Sequence, residues 1–207
     1  MYQYALPILN ERAGTGNPFF SVLLSISNHP PYVIPPYFHP HSDVLEEQIV
    51  EYADWSIRQF MQAAEKQPWF DNTIFVFLGD HGKMVGTPEC EMPQSYNHIP
   101  LMIYGKDIKP GVYDGFGGQV DVSPTLLGLL NISYLQNNFG VNLLEEERPC
   151  MFFTADNLIG ARDSVNMFIY SPDSQQEFKY KLEEGKLHAA TGTDEAVSYT
   201  HLRAHET

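Results

Sequence analysis

A predicted buried strand that ends in Gly-Asp-His-Gly is the feature that most constrains this chain. The segment Thr73–Leu78 reads TIFVFL, a run of β-branched, aromatic and leucine side chains that is typical of a strand inside a sheet. Asp80 and His81 follow at once, flanked by Gly79 and Gly82. The pattern predicts a strand whose end delivers two polar side chains in a tight turn.

Asp80 and His81 have the donor chemistry of a divalent-metal site. A carboxylate oxygen and a neutral imidazole nitrogen suit Mn²⁺ or Zn²⁺ and, with more oxygen ligands, Mg²⁺ or Ca²⁺. Adjacent residues reach one ion only if the backbone turns sharply, which the flanking glycines permit. The alternative is a plain tight turn in which Asp80 accepts a hydrogen bond from a nearby amide. The spacing leaves both interpretations open.

The order of apolar runs in the first half predicts an α/β fold with a largely parallel sheet flanked by helices. The run Phe19–Ile26 is expected to be a buried first strand, followed by a loop rich in proline and histidine. Ser42 is expected to cap an amphipathic helix that continues to about Lys66, before the strand Thr73–Leu78. This strand, helix, strand order is typical of a right-handed parallel crossover.

The second half is expected to extend the main sheet and to add a small antiparallel region. Ile99–Tyr104 predicts a strand, and a helix is expected to start with Ser123 as its N-cap and Pro124 at its first helical position. The other strands expected from their apolar residues are Met151–Ala155, Asn166–Tyr170 and the two arms of a C-terminal antiparallel hairpin, Glu177–Leu182 and Lys186–Ala190.

Four further polar residues lie next to the expected strands and helix. Asn28 and His29 follow the first strand, His98 precedes the strand at Ile99, and Asp121 precedes the capped helix. Because functional side chains collect beyond the carboxyl ends of parallel strands, these residues are candidates for the same site. His29, His98 and Asp121 also have a structural alternative. A loop histidine often bonds to backbone, and Asp121 has the chemistry to support a helix N-terminus.

Charge and cysteine content exclude two classes of function. The chain has 207 residues, a formal net charge of -14 and 12 Lys and Arg without a basic run, so nucleic acid is not an expected partner. Cys90 and Cys150 lack C-x-x-C spacing, which argues against a zinc knuckle and leaves a single disulfide open. No apolar run approaches the about 20 residues of a membrane span, so the chain as given is expected to be soluble.

The chain is expected to begin partway through a larger domain, and its last residues are not expected to belong to that domain. The apolar run at 19–26 begins so close to Met1 that little chain precedes it to supply neighbouring strands. Residues 1–195 are expected to form one partial domain. Residues 196–207 are expected to be a non-native or disordered tail, so His201 and His205 are excluded from the site.

Four segments, in this order and with these separations, resemble the lipoteichoic acid synthase-type phosphoglycerol transferases, a sulfatase-like branch of the alkaline phosphatase superfamily. They are PFFSVLLSISNHPPY, YADWSIRQFMQAAEKQPWFDNTIFVFLGDHG, YNHIPLMIYG and QVDVSPTLLGLL. The similarity runs from about Asn17 to Leu144. It implies an alkaline phosphatase-like α/β fold and the C-terminal half of a catalytic domain.

The resemblance implies a divalent-metal centre, most often with Mn²⁺, in which Asp80 and His81 are ligands. A glutamate and a nucleophilic threonine from the N-terminal half of such domains complete it, so a two-step displacement through a covalent phospho-enzyme is expected. His29, with Asn28 and His98, is expected to bind the phosphoglycerol or sulfate-ester substrate. Asp121 is expected to support the site.

The sequence also departs from the family pattern. No segment before Pro18 supplies the glutamate and the threonine, because Thr15 lies too close to the first matched segment. The sulfatase nucleophile pattern C-x-P-x-R is missing as well, since Cys90 begins CEMPQ and Cys150 begins CMFFT. We therefore expect this chain to be catalytically inactive alone.

Two other functions stay open beside the phosphoglycerol transferase or phosphodiesterase. One is a sulfatase, and the other is a noncatalytic binding domain of the same fold, against which the intact Asp80 and His81 count. The resemblance further implies a cell-membrane location for the full-length protein, with its catalytic domain outside the cytoplasm. Contact with the membrane would run only through N-terminal helices that this chain lacks.

Overall fold

The computed structural model describes residues 1–84 and 86–190. The predicted tail, with His201 and His205, lies outside these residues. The chain divides into two compact units, one made of Met1–Val76 with Met102–Lys109 and the other of Phe77–Leu101 with Pro110–Thr207. Cys90 and Cys150 are both free thiols, so the disulfide that the sequence left open is not formed.

Two helices open the chain, strands and helices then alternate as far as residue 129, and only strands follow in the described residues. The helices are α1 (Tyr2–Gly14), α2 (Leu45–Ala64), α3 (Gln94–Asn97) and α4 (Gln119–Leu129). The strands are β1 (Phe75–Leu78), β2 (Leu101–Tyr104), β3 (Met151–Ala155), β4 (Leu158–Arg162), β5 (Asn166–Ser171), β6 (Gln176–Glu183) and β7 (Lys186–Ala189). The content is α/β, as predicted.

The first unit is built on α1 and the predicted helix α2. Leu9 of α1 packs with Phe60 and Ala64, which lie one turn apart on α2. The helix begins at Leu45, three residues after the predicted cap Ser42. The Ser42 hydroxyl instead accepts a hydrogen bond from the Val44 amide at 3.0 Å, so it orders the turn before the helix.

The predicted first strand is wrong for the described residues. No strand is assigned at residues 18–26, and every residue there is exposed, for example Phe20 at 85% and Ile26 at 80%. An apolar run indicates a surface that favours burial, whereas a strand also needs a hydrogen-bonded neighbour. Without this strand, the predicted parallel crossover into Thr73–Leu78 is not formed in the described part of the chain.

The predicted largely parallel sheet is also corrected by the structure. The strands of the described residues form a two-stranded sheet of β1 and β2 and a five-stranded sheet in the order β3-β4-β5-β6-β7. Every pairing in the five-stranded sheet is antiparallel. The expected C-terminal hairpin is confirmed as β6 and β7, but it is the last part of a larger antiparallel sheet.

The strand β4, which was not predicted, joins β3 to β5 and so makes the antiparallel sheet larger than the predicted hairpin. A two-residue turn, Asp156-Asn157, joins it to β3, and both residues have positive φ angles of 47° and 63°. Asp and Asn adopt this left-handed conformation at lower cost than other side chains, as in the turns that connect tight hairpins. The turn signal was present in the sequence, but the short LIGAR segment after it lacks strong alternation.

The core of the second unit lies on one face of the five-stranded sheet. Met167 and Ile169, two residues apart on β5, are buried with Met92 from the loop before α3. The Tyr180 hydroxyl of β6 donates to the Glu91 carboxylate beside that loop. Burial, and next this hydrogen bond, raise the pKa of Tyr180. The loop that follows the Gly-Asp-His-Gly turn is therefore anchored to the sheet by an apolar and a polar contact.

Candidate metal centre

The Gly-Asp-His-Gly turn leaves β1 with its backbone fixed by hydrogen bonds. The Gly79 amide donates to the Pro100 carbonyl at 3.3 Å, and the Gly82 amide donates to the Tyr96 carbonyl at 2.8 Å. Within the turn, the His81 amide donates to Asp80 Oδ1 at 2.9 Å. The tight turn that was the structural alternative is therefore present, and it uses one of the two carboxylate oxygens.

The remaining ligand atoms of the two side chains, Asp80 Oδ2 and His81 Nε2, lie near each other. His81 Nδ1 lies 2.7 Å from the Gly82 carbonyl oxygen, and because a carbonyl only accepts, Nδ1 carries the proton. In the neutral imidazole, Nε2 then holds the free lone pair. Asp80 Oδ2 lies 3.8 Å from this nitrogen, and the two side chains are 76% and 57% exposed. The tight turn therefore leaves one oxygen and one nitrogen available.

These two atoms are close enough together for one divalent cation to contact both. An ion about 2.1 Å from each donor spans a donor separation of up to about 4.2 Å, which includes the separation between Asp80 Oδ2 and His81 Nε2. The Nδ1–H bond to a carbonyl is the outer-shell contact that usually orients a ligating histidine. Among residues 1–84 and 86–190, no group of three His, Cys, Asp or Glu side chains is arranged to hold a metal, so the pair is a partial donor set.

Gly82 of the turn is required by space and not by a left-handed backbone, and Gly79 is closely packed. Neither Gly79 nor Gly82 is among the described glycines with positive φ. A Cβ at Gly82 would overlap the Ser95 carbonyl oxygen, and one at Gly79 would lie 3.2 Å from the Cβ of Ile99. The backbone of the α3 region therefore approaches the turn more closely than any side chain would allow.

α3 also supplies a ring that packs on the candidate histidine. The Tyr96 ring lies parallel to the His81 ring, with centroids 5.5 Å apart and an interplanar angle of 23°. His98 is the C-cap that follows α3, where its amide donates to the Gln94 carbonyl at 2.8 Å, and its side chain is exposed. The segment between the turn and β2 thus positions His81 through Tyr96.

Gln119, the first residue of α4, holds the turn from the other side. Its Nε2 donates to the Gly79 carbonyl at 3.0 Å and to the Asp80 carbonyl at 2.8 Å. Sequence reasoning singled out neither Gln119 nor Tyr96. Each residue opens one of the matched segments, but the separation of 39 residues between Asp80 and Gln119 gives no sign that they touch.

The predicted supporting residue Asp121 is fully buried in α4 and paired with Arg148. The guanidinium contacts both carboxylate oxygens, with Nε 2.7 Å from Oδ2 and Nη2 2.6 Å from Oδ1. Oδ2 also accepts from the Gly118 amide at 2.8 Å, and Oδ1 from the Val141 amide at 2.8 Å. These are the contacts expected of a carboxylate that supports a helix N-terminus.

The predicted start of α4 at Ser123 is therefore wrong. Gly118 is the N-cap, and Asp121 stands at the third helical position, where its carboxylate bonds back to the cap amide. Ser123 and Pro124 lie inside the helix. The Ser-Pro pair resembles a helix start, but the helix starts five residues earlier, where the buried pairing of Asp121 with Arg148 holds its first turn.

Asn28 and His29 belong to the first unit, whereas Asp80, His81, His98 and Asp121 belong to the second. The His29 amide donates to the Ile26 carbonyl at 3.2 Å, and its Nδ1 donates to the Pro30 carbonyl at 2.9 Å. Both side chains are exposed. The structure thus gives His29 the backbone contact of a loop histidine, with Nε2 left for other partners.

None of the described helices is long and apolar enough to cross a bilayer.

The chain is similar to several bacterial proteins. It is 25% identical over 202 residues to "Lipoteichoic acid synthase 1" of Bacillus subtilis, an alignment that covers 82% of this chain and 30% of that protein. It is 29% identical over 121 residues to "Choline-sulfatase" of Rhizobium meliloti, covering 52% of this chain and 22% of the relative. The chain thus spans about a third or less of the length of these relatives.

A solved structure shares the fold over nearly the whole chain. It belongs to a protein of the alkaline phosphatase superfamily from Vibrio parahaemolyticus, with a TM-score of 0.83, 24% identity and coverage of 99% of this chain and 53% of that one. A 2-O GAG sulfatase superposes with a TM-score of 0.55 at 16% identity, over 78% of this chain and 40% of the other. The sequence model of the sulfatase family, named Sulfatase, matches residues 1–132. With more than half of its residues matched, and with the resemblance to lipoteichoic acid synthases confirmed, the chain belongs to the sulfatase family.

Proposed function

We propose that this chain carries the aspartate and histidine part of a divalent-metal centre in a phosphoglycerol transferase or phosphodiesterase. The proposal rests on the 3.8 Å approach of Asp80 Oδ2 and His81 Nε2, whose companion atoms Oδ1 and Nδ1 are already bonded to backbone. Mn²⁺ is the expected ion, and Zn²⁺, Mg²⁺ and Ca²⁺ share the donor preference. The two side chains are exposed, so a cation and an anionic ester have access to them.

The chain's own contribution is to orient the two ligands. The Asp80 carboxylate offers a hard anionic oxygen, and the hydrogen bond from His81 Nδ1 to Gly82 keeps Nε2 as an acceptor. A divalent cation held there would offset the charge of a phosphate ester and lower the pKa of a nucleophilic hydroxyl. This would reconcile an anionic substrate with a protein of net charge -14.

The substrate class is proposed from the relatives. Several proteins similar to this chain are named lipoteichoic acid synthases, which supports a phosphoglycerol ester of the cell envelope as the substrate. We propose that His29, Asn28 and His98 bind its head group and that Asp121 supports the site. We further propose that residues 1–195 are the C-terminal half of the catalytic domain, and that the nucleophile and other metal ligands come from outside this chain. The full-length protein would be anchored in the membrane, with this domain outside the cytoplasm.

A sulfatase is the second candidate, and two observations favour it. The family model that matches residues 1–132 is that of the sulfatases, and one relative is a choline-sulfatase. The nucleophile separates the candidates, because a cysteine in C-x-P-x-R would favour sulfate esters and a threonine would favour phosphate esters. No C-x-P-x-R segment occurs in the 207 residues.

Mn²⁺ titration of the 207-residue chain, followed by paramagnetic broadening of backbone amide signals, tests the metal site. We expect the amides of Asp80 and His81 to broaden first, and Asp80→Ala or His81→Ala to abolish this selective broadening, since each removes one of two donors. His41→Ala is a matched control, because His41 also approaches a carboxylate, with Nδ1 3.2 Å from Glu51 Oε2. Selective broadening that survives Asp80→Ala and His81→Ala would contradict the proposed site.

Activity of the chain alone tests the division of the active site. We expect no release of an aryl group from an aryl phosphodiester or an aryl sulfate above a blank that contains only Mn²⁺, because the proposed nucleophile is not in this chain. Turnover of the phosphodiester would overturn the proposed inactivity. Turnover of the sulfate ester alone would overturn it and favour the sulfatase.

A further inference from the structure

We propose that Gln119 is a positioning residue that sets the direction of the Asp80 side chain. This inference rests on the proposed function of Asp80 and His81 as metal ligands. The Gln119 side-chain amide has two N–H donors, and its nitrogen lies within hydrogen-bond distance of two successive carbonyl oxygens, at 3.0 Å from Gly79 and 2.8 Å from Asp80. One side chain therefore holds the peptide groups on both sides of the Asp80 Cα.

Holding two successive peptide groups fixes the ligand between them. The Gly79 carbonyl belongs to the peptide plane that precedes Asp80, and the Asp80 carbonyl belongs to the plane that follows it. Their orientations determine φ and ψ of Asp80 and hence the direction of its Cα–Cβ bond. The second plane also carries the His81 amide, which donates to Asp80 Oδ1 at 2.9 Å. Gln119 thus acts on the Asp80 backbone and, through the His81 amide, on its carboxylate.

Gln119 is itself held in place by the buried ion pair of α4. The Gly118 amide, one residue before it, is bonded to Asp121 Oδ2 at 2.8 Å. The Arg148 guanidinium fixes that carboxylate through both oxygens. The first residue of α4 is therefore anchored to the protein interior, while its side chain reaches out to the turn. This path gives Asp121, which does not itself contact the turn's carbonyls through any described hydrogen bond, a way to support the site.

The contact is suited to tuning ligand geometry and contributes little to folding. Gln119 is exposed, so water can replace its hydrogen bonds to the two carbonyls when the side chain is removed. The orientation of the Asp80 carboxylate would be lost at the same time. Loss of an outer-shell partner usually weakens metal binding by about 10-fold to 100-fold. Affinity and stability should therefore respond differently to the same substitution.

Gln119→Met tests the inference, because methionine has a similar length and no donor. We expect the Mn²⁺ concentration that half-broadens the His81 amide to rise about 10-fold. The melting temperature in EDTA should stay within about 1–2 °C of that of the unsubstituted chain, as for an exposed side chain. Gln67→Met is the matched control, since Gln67 also donates to a backbone carbonyl, that of Ala63 at 3.1 Å, and should leave both values unchanged.

The outcomes separate this inference from the proposed function. If the unsubstituted chain shows selective broadening and Gln119→Met shows the same midpoint, Gln119 does not position the pair, while the metal site stands. If Gln119→Met lowers the melting temperature in EDTA by clearly more than about 2 °C, the residue serves the fold and the inference is overturned. If the unsubstituted chain shows no selective broadening at Asp80 and His81, the proposed metal site fails and the inference fails with it.

Discussion

Asp121→Ala is expected to lower the free energy of unfolding by about 3–5 kcal/mol. Asp121 is fully buried, and its partner Arg148 is 14% exposed, so the substitution leaves a guanidinium without its counter-charge in a mostly dry site. The Gly118 and Val141 amides would lose their acceptors as well. Chemical denaturation followed by circular dichroism measures the change.

Two comparisons make this prediction specific to the buried pair. Asp54→Ala removes an exposed carboxylate 3.1 Å from Arg58 on α2 and should change stability by less than about 0.5 kcal/mol. Replacing both partners, Asp121→Ala with Arg148→Met, should recover part of the loss, because no charge is then left buried without a partner. A loss at Asp121 no larger than that at Asp54 would show that the ion pair does not hold α4. Asp121→Asn, which keeps an acceptor for one amide, serves if the alanine variant does not fold.

Ile169→Ala is expected to lower the free energy of unfolding by about 2–5 kcal/mol. Ile169 is fully buried on the central strand β5, where it pairs with Gly160 of β4 and Phe178 of β6. It also packs in the cluster that contains Met92, the residue that ties the loop before α3 to the sheet. The cavity would therefore open where the loop meets the sheet, and protease cleavage in that loop should become faster.

Ile159→Ala is the matched control for the core substitution. Ile159 lies on the neighbouring strand β4 and is 44% exposed, so its loss should cost no more than about 1 kcal/mol. Ile169→Val, which removes one methylene group, should cost about 0.5–1.5 kcal/mol and remains measurable if the alanine variant does not fold. Equal losses at Ile159 and Ile169 would mean that the sheet face does not form a core.

Local pattern predicted the elements whose signals are complete within a short window. α2 was predicted from its apolar spacing, and the strands β3 and β5 and the hairpin of β6 and β7 from their apolar residues and turns. The errors concern pairing and helix starts. The predicted strand Phe19–Ile26 has no partner strand in the described residues, and α4 begins before Ser123, because pairing and burial depend on residues far away in sequence.

Only the part of the candidate site that lies within one short segment could be inferred from the sequence. Asp80 and His81 are adjacent, so their donor chemistry and the tight turn could be inferred from a single segment. Their roles as ligands, and those of Asn28, His29 and His98 in substrate binding, stay predictions. The residues that hold the turn, Gln119 and Tyr96, come from other elements and bear no local mark of that contact.

The sequence by itself determined the family, the Asp80–His81 pair and the two glycines that flank it. These features are carried by residue identity and short spacing, which do not depend on how distant segments meet. Only the tertiary structure decided why Gly82 is needed, since the obstacle to a side chain there is the backbone of Ser95. It also decided that Arg148 fixes the start of α4 through Asp121, and that Gln119 is thereby brought to the carbonyls of the turn. Contacts of this kind arise from the packing of elements separated by tens of residues, where the chain's local preferences carry no information.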